Sequence, residues 1–316
     1  MAQKSRPAGK PAGTPPSGAR KPAAQPTPKQ SAREKLAAER AAAAAKAKRR
    51  RAIGIGAGVA AVILVVIGVM VLVSLPKPAP SAQGLTAAEQ AQIGDGSYVT
   101  ALSAIPAATL DAVGAGSIAQ VSAQQVPNGQ PVLKDGKPRV LYIGADYCPY
   151  CGLERWPLTI ALSRFGTFTG LKAALSSPDE GAASNIPTIS YDNASYTSQY
   201  LTFDGVETAD RTGKQLRSID PADKTAMTPY NPNASIPWLY WGTGFQVGAS
   251  FPDYQLMAGK KASDIAGKLA DPTSAEAKAV LGAANVHTAQ LCKLTNGQPA
   301  NVCSAAGVQA AAKLLG

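Results

Sequence analysis

Histidine is all but missing from this chain: His287 is the only one in 316 residues. Cysteine is scarce as well, with four, at 148, 151, 292 and 303. A closed zinc site needs a second cysteine pair at short spacing or a set of histidines. Cys292 and Cys303 stand eleven apart and His287 is far in sequence from Cys148 and Cys151, so neither a metal site nor a cofactor is expected. Aromatic side chains make up only 6% of the chain and none falls in residues 1–51, which removes the stacking platforms that single-stranded nucleic acid requires. Acidic residues are rare in that same stretch, where Glu34 and Glu39 face fourteen Lys and Arg, a net of +12. The whole chain is +11, so residues 52–316 sum to about −1 and the basic character belongs to the tail alone. Lys and Arg bind phosphate without regard to sequence, but no nucleic-acid motif accompanies them. The expected electrostatic partner is an anionic membrane surface, and no specific nucleic acid.

What is present divides the chain unevenly. Residues 1–30 are Pro, Ala, Gly, Lys and Gln with almost no large apolar side chain, a composition that cannot build a core and reads as disordered. From Ser31 to Arg51 alanine and charge alternate behind a Ser31/Glu34 capping-box spacing, which predicts a solvated helix. Ala52 to Leu75 is 24 residues without a charge. As a helix it spans roughly 36 Å, enough to cross a hydrocarbon core of about 30 Å with some tilt. A cleaved signal peptide is the competing reading. The long basic lead, the length of the apolar run and the lack of an A-x-A exit before Pro76 favour a retained anchor. Five Lys and Arg lie in Lys46 to Arg51, and only Lys77 follows closely, so the N-terminus is expected to stay cytoplasmic. Residues 76–85 form a Pro, Ala and Ser linker, and 86–316 form a domain expected outside the membrane, where disulfides persist.

The chemistry concentrates at V-L-Y-I-G-A-D-Y-C-P-Y-C-G-L-E-R-W, residues 140–156. An apolar strand, Val140 to Ile143, turns through Gly144, Ala145 and Asp146 and delivers Cys148 and Cys151 to the start of a helix. A thiolate is the nucleophile in disulfide exchange, and the unpaired N–H groups of a helix's first turn favour it. Cys148 is expected exposed at the N-terminus as the attacking thiol, and Cys151 one turn on, more buried, as the resolving one. Pro149 suits a first helical turn, where its missing N–H has no partner to lose. Half of a zinc site, a structural disulfide and a redox motif without activity are the bland alternatives.

The D-Y-C-P-Y-C run behind an apolar strand resembles the thioredoxin superfamily, and Pro149-Tyr150 is the dipeptide typical of glutaredoxins. The longer run from Tyr142 to Phe168, with E-R-W at 154–156 and S-R-F-G-T-F at 163–168, is similar to the thioredoxin-like proteins grouped as domain of unknown function 929. That resemblance, taken over residues 86–316, implies an α/β thioredoxin-like domain: a central mixed sheet flanked by helices, with insertions. It also implies a cis-proline opening a strand opposite the dicysteine turn, with the backbone of the preceding residue pairing with an incoming polypeptide. Ile236-Pro237 matches that role and Ile186-Pro187 is its rival. Trp238 to Gly248 supplies the strand, turn and strand expected to follow, which favours Pro237. Tyr147 and Tyr150 flank the cysteines and are expected to touch the same substrate.

Around this centre the sequence predicts a capped helix from Thr86, another over Pro106 to Val113, and a Lys134-Asp135-Gly136-Lys137 turn into the central strand. Pro157 is expected to interrupt the helix after the cysteines. Residues 186–191 and 196–202 read as strands, and 204–235 as a polar insertion. Helices are expected over Ala262 to Leu269, Ser274 to Leu281 and Ala305 to Leu315. Cys292 and Cys303 read as a structural disulfide, and His287 as a surface histidine. The expected function is membrane-anchored, extracytoplasmic thiol-disulfide exchange, oxidase- or isomerase-like, on secreted or cell-envelope proteins, with a separate recycling partner. The alternative is a redox-inert binding or assembly module whose cysteines are staples.

Overall fold

The computed structural model describes residues 85–315. The basic tail, the apolar run 52–75 and linker residues 76–84 lie outside the described residues, and with them the readings of anchor and orientation. Among the described residues no helix is long and apolar enough to cross a membrane.

Three short helices open the described chain: α1 (Ala87–Ile93), α2 (Ser97–Leu102) and α3 (Ala107–Val113). Thr86 and Glu89 close a reciprocal capping box on α1, satisfying two N–H groups that a helix start leaves free. Strand β1 (Ala123–Gln125) is followed by the hairpin of β2 (Leu133–Lys134) and β3 (Lys137–Gly144). Its turn residues Asp135 and Gly136 have φ of 52° and 73°, the left-handed pair that a two-residue hairpin requires. Helix α4 (Pro149–Ser163) carries both cysteines' turn and runs unbroken through Pro157, contrary to the expected interruption. It is buried along nearly its whole length, so packing on every side outweighs the one intrahelical bond that proline removes.

The chain continues through β4 (Gly166–Thr169), β5 (Lys172–Leu175), β6 (Pro187–Ser190), β7 (Ser195–Ser198), β8 (Thr202–Glu207) and α5 (Pro221–Met227). It closes with β9 (Trp238–Tyr240), β10 (Gly244–Val247), α6 (Ala262–Lys268), α7 (Ala275–Leu294), α8 (Ala300–Cys303) and α9 (Ala306–Ala312). The main sheet is mixed. β3 lies between antiparallel β9 and parallel β8, β10 and β1 extend it beyond β9, and β2 joins β3 through the hairpin. β4 pairs with β7 and β5 with β6 in two separate ribbons.

Strand β8 corrects the reading of 204–235 as an insertion, because residues 202–207 pair with the central strand in register, Arg139 opposite Thr202 through Gly144 opposite Glu207. Asp204 of β8 and Asp223 of α5 contribute to the polar character of that stretch. They are neutralised where they stand: Arg139 of β3 donates to Asp204 at 2.5 Å and grips Asp223 of α5 with two bonds at 2.6 and 2.8 Å. Helix α7 likewise runs thirteen residues past its expected end at Leu281. The polar residues that broke its pattern are buried with partners, as when Asn285 donates to the carbonyls of Leu110 and Gly114 at 2.8 Å each. Helix α4 separates two apolar clusters: Leu153, Trp156 and Ile160 pack into one with α6 and α7, and Leu158, Ala161 and Leu162 into the other. Trp156 is core, stacked on Tyr98 and donating to the Pro187 carbonyl at 2.8 Å.

Candidate active site

Strand β3 ends at Gly144, and four residues later Cys148 caps α4, with extended backbone at φ −73° and ψ 121°. Its Sγ accepts the N–H of Cys151 at 3.2 Å, and Pro149 occupies the first helical turn. Both cysteines are free thiols. The hydrogen bond with the Cys151 side chain pulls the Cys148 thiol below the ordinary cysteine value, against burial; the Cys151 N–H and the charge of Arg155 act in the same sense. Burial pushes the Cys151 thiol well up, and the bond to and charge of Cys148 push it further. The two thiols are thus driven apart, the outer toward thiolate and the inner toward the protonated form.

The expectation that Cys148 is exposed is corrected: only 6% of its surface is open. Cys148, Cys151, Ala145 and Ala209 form a small cluster over which Tyr147 and Ile236 pack. The cover on the sulfur is the segment before β9. The Ile236–Pro237 peptide is cis, and the Ile236 carbonyl lies 3.8 Å from Cys148 Sγ, in reach of its S–H. Pro187 is not among the cis prolines of the described residues; it is buried at the start of β6, where its carbonyl serves Trp156. Tyr147 is half-buried, and its carbonyl accepts the Ser177 N–H at 2.9 Å. Tyr150 is exposed at 41% and presents its ring to solvent beside the buried sulfur. The six residues singled out around the dicysteine turn therefore come together at one end of β3, β9 and α4. Cys292 and Cys303 do not join them: they form a disulfide between the end of α7 and α8.

Sequence reasoning missed the charges behind the turn. Arg155, one turn past Cys151 with no exposed surface, donates from Nε and Nη2 to Glu207 of β8 at 2.9 and 2.7 Å and from Nη2 to the Ala145 carbonyl at 2.7 Å. Asp146 stands 3.5 Å from the same Nη2. Its Oδ2 accepts from Ser190 at 3.0 Å, while Oδ1 and Arg155 Nη1 have no hydrogen-bond partner. Burial raises both the Asp146 and the Glu207 carboxyls above the ordinary range, against the pull of Arg155. The available signal was E-R inside an otherwise apolar helix, since a charge there demands a buried partner. His287, expected at the surface, is 2% exposed and meets Glu154 at 2.6 Å, because α7 continues far enough to turn it against α4.

Among the described residues, no group of three His, Cys, Asp or Glu side chains is placed to hold a metal ion. The arrangement can present one nucleophilic sulfur, a second sulfur behind it, and a backbone carbonyl beside the first. No curated protein and no solved structure matches the chain. The family described as Domain of unknown function (DUF929) matches residues 124–227, about a third of the chain and narrower than the 86–316 expected, so the likeness to that family covers the segment from β1 to α5 that bears Cys148, Cys151, Arg155 and Glu207.

Proposed function

We propose that the described domain is thioredoxin-like and carries out thiol-disulfide exchange on secreted or cell-envelope proteins, held at the outer face of the membrane by residues 52–75 with the N-terminus cytoplasmic. The observation that carries this reading is the meeting of a cysteine pair at a helix start with the cis Ile236–Pro237 segment, 3.8 Å from the outer sulfur. In the reductive direction the Cys148 thiolate attacks a substrate disulfide, forming a mixed disulfide and expelling one substrate thiolate, which takes a proton. Cys151 gives up its proton and attacks Cys148 Sγ, releasing the second substrate thiol and leaving Cys148 and Cys151 joined. Run in reverse, the same steps oxidise a substrate dithiol and leave the pair reduced. In an oxidising compartment oxidation or isomerisation is the favoured direction, and a separate thiol or disulfide partner must restore the pair. Ile236 offers its backbone to the substrate chain as to an added strand, and Tyr147 and Tyr150 flank the mixed disulfide.

Burial of Cys148 favours a second reading, a binding or assembly module in which the pair is an inert staple. Trapping separates the two. Cys151→Ala in full-length protein is expected to accumulate dithiothreitol-sensitive adducts with envelope proteins, and Cys148→Ala/Cys151→Ala none. Equal, background-level adducts in both variants, with the Cys148 thiol inert to alkylation in the native wild-type chain, would leave the staple reading standing.

A further inference from the structure

Glu154 and Arg155 are consecutive on α4 and neither has exposed surface, yet they serve different elements. Arg155 belongs to the pair with Glu207. Glu154 reaches α7 and the loop after β10: its Oε1 lies 2.6 Å from His287 Nε2 and accepts from Ser250 Oγ and Gln246 Nε2 at 3.1 Å each, and its Oε2 accepts the Ser250 N–H at 2.6 Å. The other ring nitrogen of His287 faces Gln290 Oε1 at 3.1 Å. The doubly protonated ring donates to both oxygens, and loss of either proton turns a ring lone pair toward Glu154 Oε1 or Gln290 Oε1. Ser250 Oγ also lies 2.9 Å from Nε2. Carboxylate and hydroxyl meet the same nitrogen, so the cluster lacks the base-then-orienter order of a hydrolytic triad.

We propose that Glu154, His287 and Ser250 form a pH-sensitive latch that fastens the dicysteine helix to α7 and to the loop after β10, closed while His287 holds its proton and loosened when the proton leaves to solvent. The charges around the ring are few. From α4 it faces Glu154; from β10 and its loop, the uncharged Gln246 and Ser250; from α7 itself, Gln290. The other charge on α4, Arg155, is held by Glu207, and Arg164, just past the end of the helix, donates to Asn285 and Thr288 of α7 at 3.2 and 3.3 Å. Burial alone favours the neutral ring, but the Glu154 charge and the bonds to Glu154 and Gln290 outweigh it and hold the imidazolium above its ordinary value. A folded-state value raised in this way gives stabilisation that is complete below the ordinary imidazole value of about 6.5 and disappears as pH rises through the folded value. Nothing in the latch depends on disulfide exchange, so its failure and that of the redox reading are separate outcomes.

With one histidine in the chain, the ring C–H proton signals of full-length protein in detergent micelles report this group alone. The expected midpoint lies above about 6.5 in the wild type and drops in Glu154→Gln. The thermal midpoint is expected to fall as pH rises through that value in the wild type, and to fall less across the same range in His287→Gln. A wild-type ring that titrates at or below the ordinary value overturns the latch without any variant being made. So does a His287→Gln protein that keeps the wild-type pH slope.

Discussion

The Arg155 guanidinium and the Glu207 carboxylate meet in two hydrogen bonds, at 2.9 and 2.7 Å, with neither side chain exposed to solvent. The pair joins α4 to β8 directly behind the cysteine turn, and a third bond from Arg155 to the Ala145 carbonyl fixes the segment from which Cys148 emerges. A buried pair of this kind is strongly unfavourable to break and far less so to replace as a whole, because the penalty falls on the partner left charged in a dry interior. Arg155→Met is therefore expected to lose roughly 3–5 kcal/mol in urea unfolding, and Arg155→Met/Glu207→Leu to recover much of that loss. A double variant as unstable as the sum of the single variants would show that the two charges are not coupled.

The same guanidinium acts on the sulfurs. Its charge favours both thiolates, but for Cys148 the larger influence is the hydrogen bond with the Cys151 side chain. The pH midpoint for iodoacetamide alkylation of Cys148 should therefore rise in Arg155→Met and rise further in Cys151→Ala. The reverse order would make the Arg155 charge the larger influence, and no movement in either variant would leave the turn's N–H groups alone to set the thiol.

The sequence revealed the cysteine turn, the capping box and the hairpin because each is local: the residues that make them lie within four positions of one another. It concealed β8, the reach of α7 and the burial of His287 for one shared reason. Asp204, Glu207, Asn285 and His287 look like surface residues until Arg139, Arg155, Leu110 and Glu154 are brought beside them by chain 65, 52, 175 and 133 residues away. Cys148 was misjudged in the same way. Its cover, Ile236, is 88 residues distant and could be named from resemblance but not placed. Polar periodicity reads exposure correctly only where a residue's partner is water.

Cys292 and Cys303, eleven positions apart, close a loop that also carries the Gly297 N–H to Cys292 carbonyl bond at 2.8 Å. In the chain-entropy account a loop of that size contributes about 2–3 kcal/mol. Cys292→Ser/Cys303→Ser should lower the thermal midpoint, and in a further Cys148→Ala/Cys151→Ala background added reductant should have no effect on it. Because this disulfide stands apart from the dicysteine turn, the alkylation profile of Cys148 should be unchanged in the variant. A shift in that profile would tie the two cysteine pairs together.

The fold accommodates the charge of Asp146 poorly. Its carboxyl is buried, Oδ1 has no hydrogen bond, and burial raises its proton affinity despite Arg155 3.5 Å away. An acid raised in the folded state contributes stability that is complete below the ordinary aspartate value, about 3.9, and is lost as pH climbs through the folded value. Asp146→Asn fixes the neutral form. Its thermal midpoint should therefore match the wild type near pH 4 and exceed it at pH 7, the gap opening as the wild-type carboxyl ionises. If the variant is instead the less stable protein at pH 7, the attraction of Arg155 for the Asp146 charge outweighs its burial, and the carboxylate belongs with Glu207 as a second anchor for the guanidinium.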